Sequence, residues 1–225
     1  WRDVWPTMAD GSDYDGKRLL ELVRNGESPF SAAWDVNLLI REIGKELDTQ
    51  VVDIPRISNG SNNYGFQLEL SNRPSAVARL ARGDVNWPYF DGFPVDIQIS
   101  EIKFEAEVYA LMRSEPEIKA SKLLYHRAPQ QHEGPRTSIP EDILGRRLMV
   151  FERAEGGSTS VWRQLSAPQQ LDVVAQAASI RAALFNFELP PGSADKWLLG
   201  RLFEQRPKSF NFAVASTREF CVKLW

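Results

Sequence analysis

The sequence has a single cysteine, Cys221, and only two histidines, His126 and His132, among its 225 residues. No disulfide can close within the chain and no Cys/His zinc set can be assembled from it, so a reducing, cytoplasmic setting is the expectation. A strong charge of either sign is also missing. The 27 basic and 30 acidic residues leave a net charge of −3, too little for the dense positive field that binding a phosphate backbone requires, and nucleic acid is not an expected partner. Long apolar runs are absent too. The best of them, Leu171 to Phe187, is interrupted by Asp172, Gln176 and Arg181, well short of the roughly 18 uncharged residues a membrane span needs, so no membrane partner is expected. Neither a basic nor an apolar stretch of signal-peptide type follows Trp1, and with Met8 as the first methionine the start reads as trimmed.

What is present is an ordinary apolar fraction, 43%, with patterns that change along the chain. Leu19, Leu20 and Val23 recur at helical spacing before the turn signal Asn25-Gly26. Ala33, Val36, Leu39, Ile40, Ile43 and Leu47 then form a second apolar stripe at three- and four-residue steps. From Thr49 the β-branched residues Val51, Val52, Ile54 and Ile57 predict a strand, which runs into the polar loop Asn59 to Gly65. Phe66, Leu68 and Leu70 alternate with polar residues, and Asn72-Arg73-Pro74 turns the chain into Ala76 to Leu80, so three antiparallel strands in series are predicted. An amphipathic helix with Ile102, Ala106, Tyr109 and Met112 on one stripe, spanning Ile99 to Arg113, is stopped before Pro116. Leu123 to Tyr125 and Leu148 to Phe151 predict two more strands. Glu155 to Ser160 is the best linker candidate, and beyond it Ser166 with Gln169 fits a capping box for a helix reaching about Phe187. Pro190-Pro191-Gly192, an amphipathic piece with Trp197, Leu198 and Leu202, and a second apparent capping box at Ser216 and Glu219 complete the chain. The expected organisation is a helical extension over 1–48, a sheet domain over 49–155, and a linker with partial helical domain over 156–225.

The order of strand, Gly/Asn loop, strand, strand ending in a basic residue, acidic helix, two strands, linker and helix resembles the aminoglycoside phosphotransferase family, the small-molecule branch of the protein-kinase-like fold. The resemblance covers about Trp34 to Phe187 and rests on the ordered set. It implies an α+β fold: a kinase-like N-lobe, with about five antiparallel strands in two layers with one flanking helix, an N-terminal helical extension and the first helices of a C-lobe. By that resemblance Gly60, Ser61, Asn62 and Asn63 lie over the nucleotide phosphates, where small residues let backbone N–H groups approach. Arg79 takes the place usually held by lysine, keeps the charge, and is oriented by Glu105 on the acidic helix. The Glu152 carbonyl would accept from the adenine amino group and the Ala154 N–H would donate to the ring. Taken singly, the same residues also fit a plain hairpin turn, a solvent-facing arginine among helix-surface acids such as Glu101 and Glu107, and an ordinary strand end.

The family's His-Gly-Asp signature is absent. His126 precedes Arg127-Ala128 and His132 precedes Glu133-Gly134, while Asp172 and Asp195 have Ala177 and Gly200 where the metal-binding asparagine would stand. Asp15-Gly16 and Asp91-Gly92 precede the acidic helix and read as turns. No catalytic residue and no metal ligand is therefore assigned. Two functions follow: the N-terminal portion of an ATP-dependent small-molecule phosphotransferase, inactive as this chain, or a short non-catalytic kinase-like module for nucleotide or protein binding. An accidental match to a plain α+β domain is the third reading. The family uses ATP and magnesium, weak or absent in this chain by this argument. A small-molecule acceptor belongs to a complete protein, and exposed C-lobe faces predict self-association.

Overall fold

The computed structural model describes residues 2–134, 138, 140–154, 159–188 and 190–192. The linker glycines Gly156 and Gly157, Asp195, the piece around Trp197 and the Ser216 capping box lie outside the described residues. The chain divides into two compact units, Trp1–Arg163 and Gln164–Trp225. The helices of the first 48 residues share one core with the sheet that follows them.

In the first unit, α1 (Leu19–Arg24) and α2 (Val36–Leu47) precede the sheet. Asp35 starts α2 by accepting the Asn37 N–H at 2.9 Å, and the chain leaves it through Asp48 in the left-handed region at φ 49°. Ala33, expected on the α2 stripe, lies in the turn before that cap, where its N–H donates to the Phe30 carbonyl at 2.9 Å. Five strands follow: β1 (Val51–Asn59), β2 (Asn63–Leu70), β3 (Ala76–Ala81), β4 (Leu123–Arg127) and β5 (Leu148–Glu152). They form one antiparallel sheet in the order β1-β2-β3-β5-β4.

Register sorts the sheet into two faces because side chains alternate along each strand. One face carries the rows Ile57–Phe66–Ala78–Val150 and Asn59–Tyr64–Leu80–Leu148. Phe66, Ala78, Leu80, Leu148 and Val150 are wholly buried there with Leu39 and Ile43 of α2. The opposite face carries Arg56–Gln67–Val77–Phe151 and Ser58–Gly65–Arg79–Met149. It meets α3 (Val95–Arg113) through Ile102, Tyr109, Met149 and Phe151. Helices therefore cover both faces, and the expected two layers become three. The reason is that α1 and α2 are needed to bury the apolar face that the strand period produces. α3 also begins four residues before the expected Ile99, directly after Pro94, and of its predicted apolar stripe only Ile102 is buried; Ala106, Tyr109 and Met112 are half-buried.

Two arginines are buried among the described residues of this unit. Arg146 pairs with Asp3 at 2.6 Å, donates to the Ala81 carbonyl at 3.1 Å and lies 3.6 Å from Asp84. Arg127 pairs with Glu42 of α2 and donates to the carbonyls of Leu144 and Arg146 at 2.9 and 2.6 Å. The Tyr125 hydroxyl donates to the same Glu42 at 3.0 Å, and burial, then Glu42, push its pKa up to about 12.

Gly16 sits in the left-handed region at φ 75°, with its carbonyl accepting the Ile57 N–H at 2.7 Å; an added Cβ would stand 2.4 Å from the Ile57 carbonyl oxygen. Gly26 shares the conformation at φ 76° but has nothing within 4 Å of that position. Gly26→Ala should cost about 1–2 kcal/mol, the left-handed penalty alone, and Gly16→Ala distinctly more because β1 must shift. Urea denaturation of the two variants checks this, and equal losses would show that the contact with β1 carries no weight.

The second unit contains α4 (Ala167–Asn186), preceded by a 3-10 turn at Thr159–Gln164 that straddles the division between units. The Ser166 N–H donates to Gln169 Oε1 at 2.9 Å, the capping box that the spacing predicts. No α4 residue is buried. No helix among the described residues is long and apolar enough to cross a membrane.

Candidate functional site

Of the sequence-predicted residues, the face of the sheet turned toward α3 carries Arg79, which Glu105 meets from α3. β3 alternates Ala76, Ala78 and Leu80 into the core, which leaves Val77 half-buried and Arg79 exposed on the α3 side. Arg79 Nη1 stands 3.6 Å from Glu105 Oε1, with the two side chains 49% and 35% exposed. An ion pair so open to water contributes at most about 1 kcal/mol to stability. Its value is orientation, because the guanidinium stays accessible to an anion. The Arg79 Cζ also lies 4.9 Å from the centroid of the Phe151 ring, whose far contact is Tyr109 at 4.8 Å between centroids.

Glu101, one turn before Glu105 on α3, pairs with Arg147 at the entry to β5 at 3.2 Å. Two carboxylates four residues apart thus reach two different arginines, and the acids that look equivalent in sequence differ in position. Nothing in the spacing of α3 separates Glu101 from Glu105; the pairing of β3 with β5 does.

The Gly/Asn loop is shorter than expected. The β1–β2 ladder continues through Ser58–Gly65 to Asn59–Tyr64, so only Gly60, Ser61 and Asn62 form the turn, and Asn63 is already the first residue of β2. Gly60 is required there because a Cβ would lie 2.6 Å from the Asn63 carbonyl oxygen, whose partner is the Gly60 N–H at 3.1 Å. Gly65, directly opposite Arg79, keeps the surface beside the guanidinium low.

At the other end, Glu152 is the last residue of β5 and half-buried, and Ala154 is exposed beyond it. The Glu152 and Arg153 N–H groups donate to the carbonyls of Lys122 and Ser75, each at 2.8 Å, so the sheet holds both peptides. Ala76 pairs with Glu152 at one end of β3 and Ala81 with Asn63 at the other. The two ends are separated by about 17 Å at roughly 3.3 to 3.4 Å per residue, with Val77 and Arg79 between them on one face.

Among the described residues no three His, Cys, Asp or Glu side chains converge as a metal-ligand set. Asp172 lies on α4, where its Oδ2 accepts from Gln176 Nε2 at 2.8 Å. His132 Nε2 lies 3.0 Å from Asp142 Oδ2, both in the loop between β4 and β5. A pocket of about 1090 Å³, open to solvent, lies beside the buried face of the sheet, its lining running from buried Phe30, Tyr64 and Asp84 to exposed Val4 and Tyr89, and includes none of the predicted site residues.

No protein-family profile matches the chain, and no curated protein matches it. The solved structure of a streptomycin-ATP-APH(2")-IIa ternary complex is similar to 84% of this chain, with a TM-score of 0.41 and 13% identity. This chain spans 56% of that one, and at such a distance no residue's role passes from one to the other.

Proposed function

We propose that this chain is the nucleotide-binding portion of a kinase-like small-molecule phosphotransferase, binding ATP weakly and without turnover as it stands. The observation that carries this reading is the placement of Arg79: on the face of β3 turned to α3, beside Glu105, between the Glu152 end of the sheet and the β1–β2 turn. A nucleotide laid along the strands would meet backbone groups of Glu152 and Ala154 with its base. It would pass Val77 and Phe151, reach the Arg79 fork with its first phosphates, and meet Gly60 to Asn63 with the last. Arginine suits the task because its planar fork binds an anion while one edge stays with the carboxylate. Phosphoryl transfer needs an aspartate base and metal ligands for positioning and charge neutralisation, and the sequence supplies no such set. Binding without chemistry is the consequence. The boundaries expected from sequence, with the sheet domain ending near 155, belong to the same reading.

A thermal-shift titration with ATP and magnesium tests it, since ligand at a hundred times its dissociation constant adds about 2.7 kcal/mol. Weak stabilisation is expected, and Arg79→Ala should reduce ATP affinity roughly 10- to 100-fold, the value of a hydrogen bond to a charged group. Tight magnesium-dependent binding that survives Arg79→Ala would overturn the assignment of the phosphate contact. Acceptor-dependent turnover lost in Arg79→Ala would overturn the inactivity and turn attention to Asp172.

A further inference from the structure

We propose that Arg82 is a positioning residue that sets the β1–β2 turn for phosphate and couples that turn to the N-terminal segment. The proposal rests on the nucleotide reading above and concerns regulation of the same site.

Arg82 follows β3 directly and faces the turn across the end of the sheet. Its backbone N–H donates to the Asn62 carbonyl at 3.0 Å, and its Nη1 donates to Asn59 Oδ1 at 2.9 Å and to the Gly60 carbonyl at 3.2 Å. The same guanidinium reaches the other way. Its Nε donates to the Asp3 carbonyl at 3.2 Å, Nη2 donates to that carbonyl as well, and the Asp3 N–H donates back to the Arg82 carbonyl at 2.8 Å. Asp3 is itself anchored, by Arg146 at 2.6 Å and by the Tyr64 hydroxyl at 3.3 Å. The Arg82 Cζ lies 5.7 Å from the Tyr64 ring centroid, a cation–π contact that adds to these bonds.

The side from which Arg82 acts matters. It keeps the parity of Ala78 and Leu80, and its partners Asp3 and Tyr64 belong to the buried face, so it braces the turn from the side opposite Arg79. Anions are bound by backbone N–H groups and repelled by carbonyl oxygens. By holding the Gly60 carbonyl with its guanidinium and the Asn62 carbonyl with its backbone N–H, Arg82 leaves the amides of Ser61 and Asn62 as the donors that meet phosphate; a side-chain substitution removes the bonds to Asn59 and Gly60 and keeps the one to Asn62. The guanidinium makes four hydrogen bonds from one rigid plane, to Asn59, to Gly60 and twice to the Asp3 carbonyl, an arrangement that a lysine with a single ammonium centre does not reproduce.

The experiment compares ATP with adenosine, because only the first engages the turn. Calorimetric affinities for both ligands are measured with the unaltered chain, Arg82→Ala, Arg82→Lys and Asp3→Ala, alongside amide hydrogen exchange of residues 59–63 without ligand. Arg82→Ala is expected to weaken ATP roughly tenfold while adenosine stays within about twofold, and to speed exchange in the turn about tenfold with β5 unchanged. Arg82→Lys should recover only part of the ATP affinity, and Asp3→Ala should shift both readouts in the same direction by less. Equal losses for ATP and adenosine, or an unchanged ratio, would overturn the positioning role while leaving nucleotide binding intact. If the unaltered chain bound neither ligand, the nucleotide reading would fall, and with it the phosphate role of the turn. Exchange in the turn unaffected by Arg82→Ala would overturn the bracing itself.

Discussion

Arg146→Ala is expected to destabilise the first unit by about 3–5 kcal/mol, the cost of removing one partner from a buried ion pair. Arg146 is 1% exposed and faces two carboxylates, Asp3 at 2.6 Å and Asp84 at 3.6 Å. Without it Asp84, 2% exposed, keeps among the described residues the Asn86 N–H at 2.8 Å as the one donor to its charge. Asp3 would lose its ion pair, one of the contacts that fix the N-terminal segment. The loss should depend on pH in a definite direction. Burial already holds the Asp84 carboxyl above the ordinary carboxylate range, with Asn86 and then Arg146 pulling it back. A carboxyl raised in the folded state binds more protons there than when unfolded, so its contribution to stability improves as pH falls from the raised value toward the ordinary one near 4. Removing Arg146 raises it further, and the deficit of the variant should be largest at neutral pH and shrink toward pH about 4. Urea denaturation across that range checks both parts. A deficit of the same size at every pH would show that Asp84 is not the group left uncompensated, and adding Asp84→Asn to Arg146→Ala should restore part of the stability.

Phe30→Ala should cost about as much, roughly 3–5 kcal/mol, for a different reason. Phe30 is 2% exposed and stands at the centre of an aromatic cluster, with ring centroids of Trp34 and Tyr64 at 5.2 Å, Phe66 at 6.1 Å, Tyr14 at 6.2 Å and Trp5 at 6.5 Å. Truncation removes the ring's transfer energy and leaves a void that stiff neighbouring rings cannot fill. For a unit of this size the melting temperature should fall by about 6–20 °C. Phe185→Ala on α4, where the ring is 89% exposed, is the control and should stay within about 0.5 kcal/mol. A comparable loss at both positions would mean that the cluster around Phe30 does not hold the unit together.

Local chemistry was legible in the sequence wherever the interaction spans a few residues. The strand alternation of Phe66, Leu68 and Leu70, the Ser166–Gln169 cap and the stop at Asn25-Gly26 depend on neighbours up to four positions away, and each stands where the pattern places it. The pairing of β2 with β3 was legible too, because a short polar turn between two alternating runs leaves little choice of register. Phe30 gave no such signal, as it belongs to a turn between helices with no period to mark it. The extent of the Gly/Asn loop is not legible for a related reason: Asn63 and Gly65 are poor strand formers by composition, and pairing of Asn63 with Ala81 and of Gly65 with Ser58 and Arg79 overrides that preference.

The site depended on tertiary structure for its content. Arg79 and Glu105 were named by a resemblance, but their meeting requires α3 to lie on the face that β3 alternation leaves polar, a relation between segments 26 positions apart. Arg82 reaches Asp3 across 79 positions and Arg146 reaches it across 143. Nothing in sequence distinguishes those arginines from the surface ones, since charge and spacing look the same until the sheet closes. Periodicity determines which residues of an element share a face; burial and pairing between distant elements determine what each face meets, because desolvation and hydrogen bonding act on whatever the fold brings within a few ångströms.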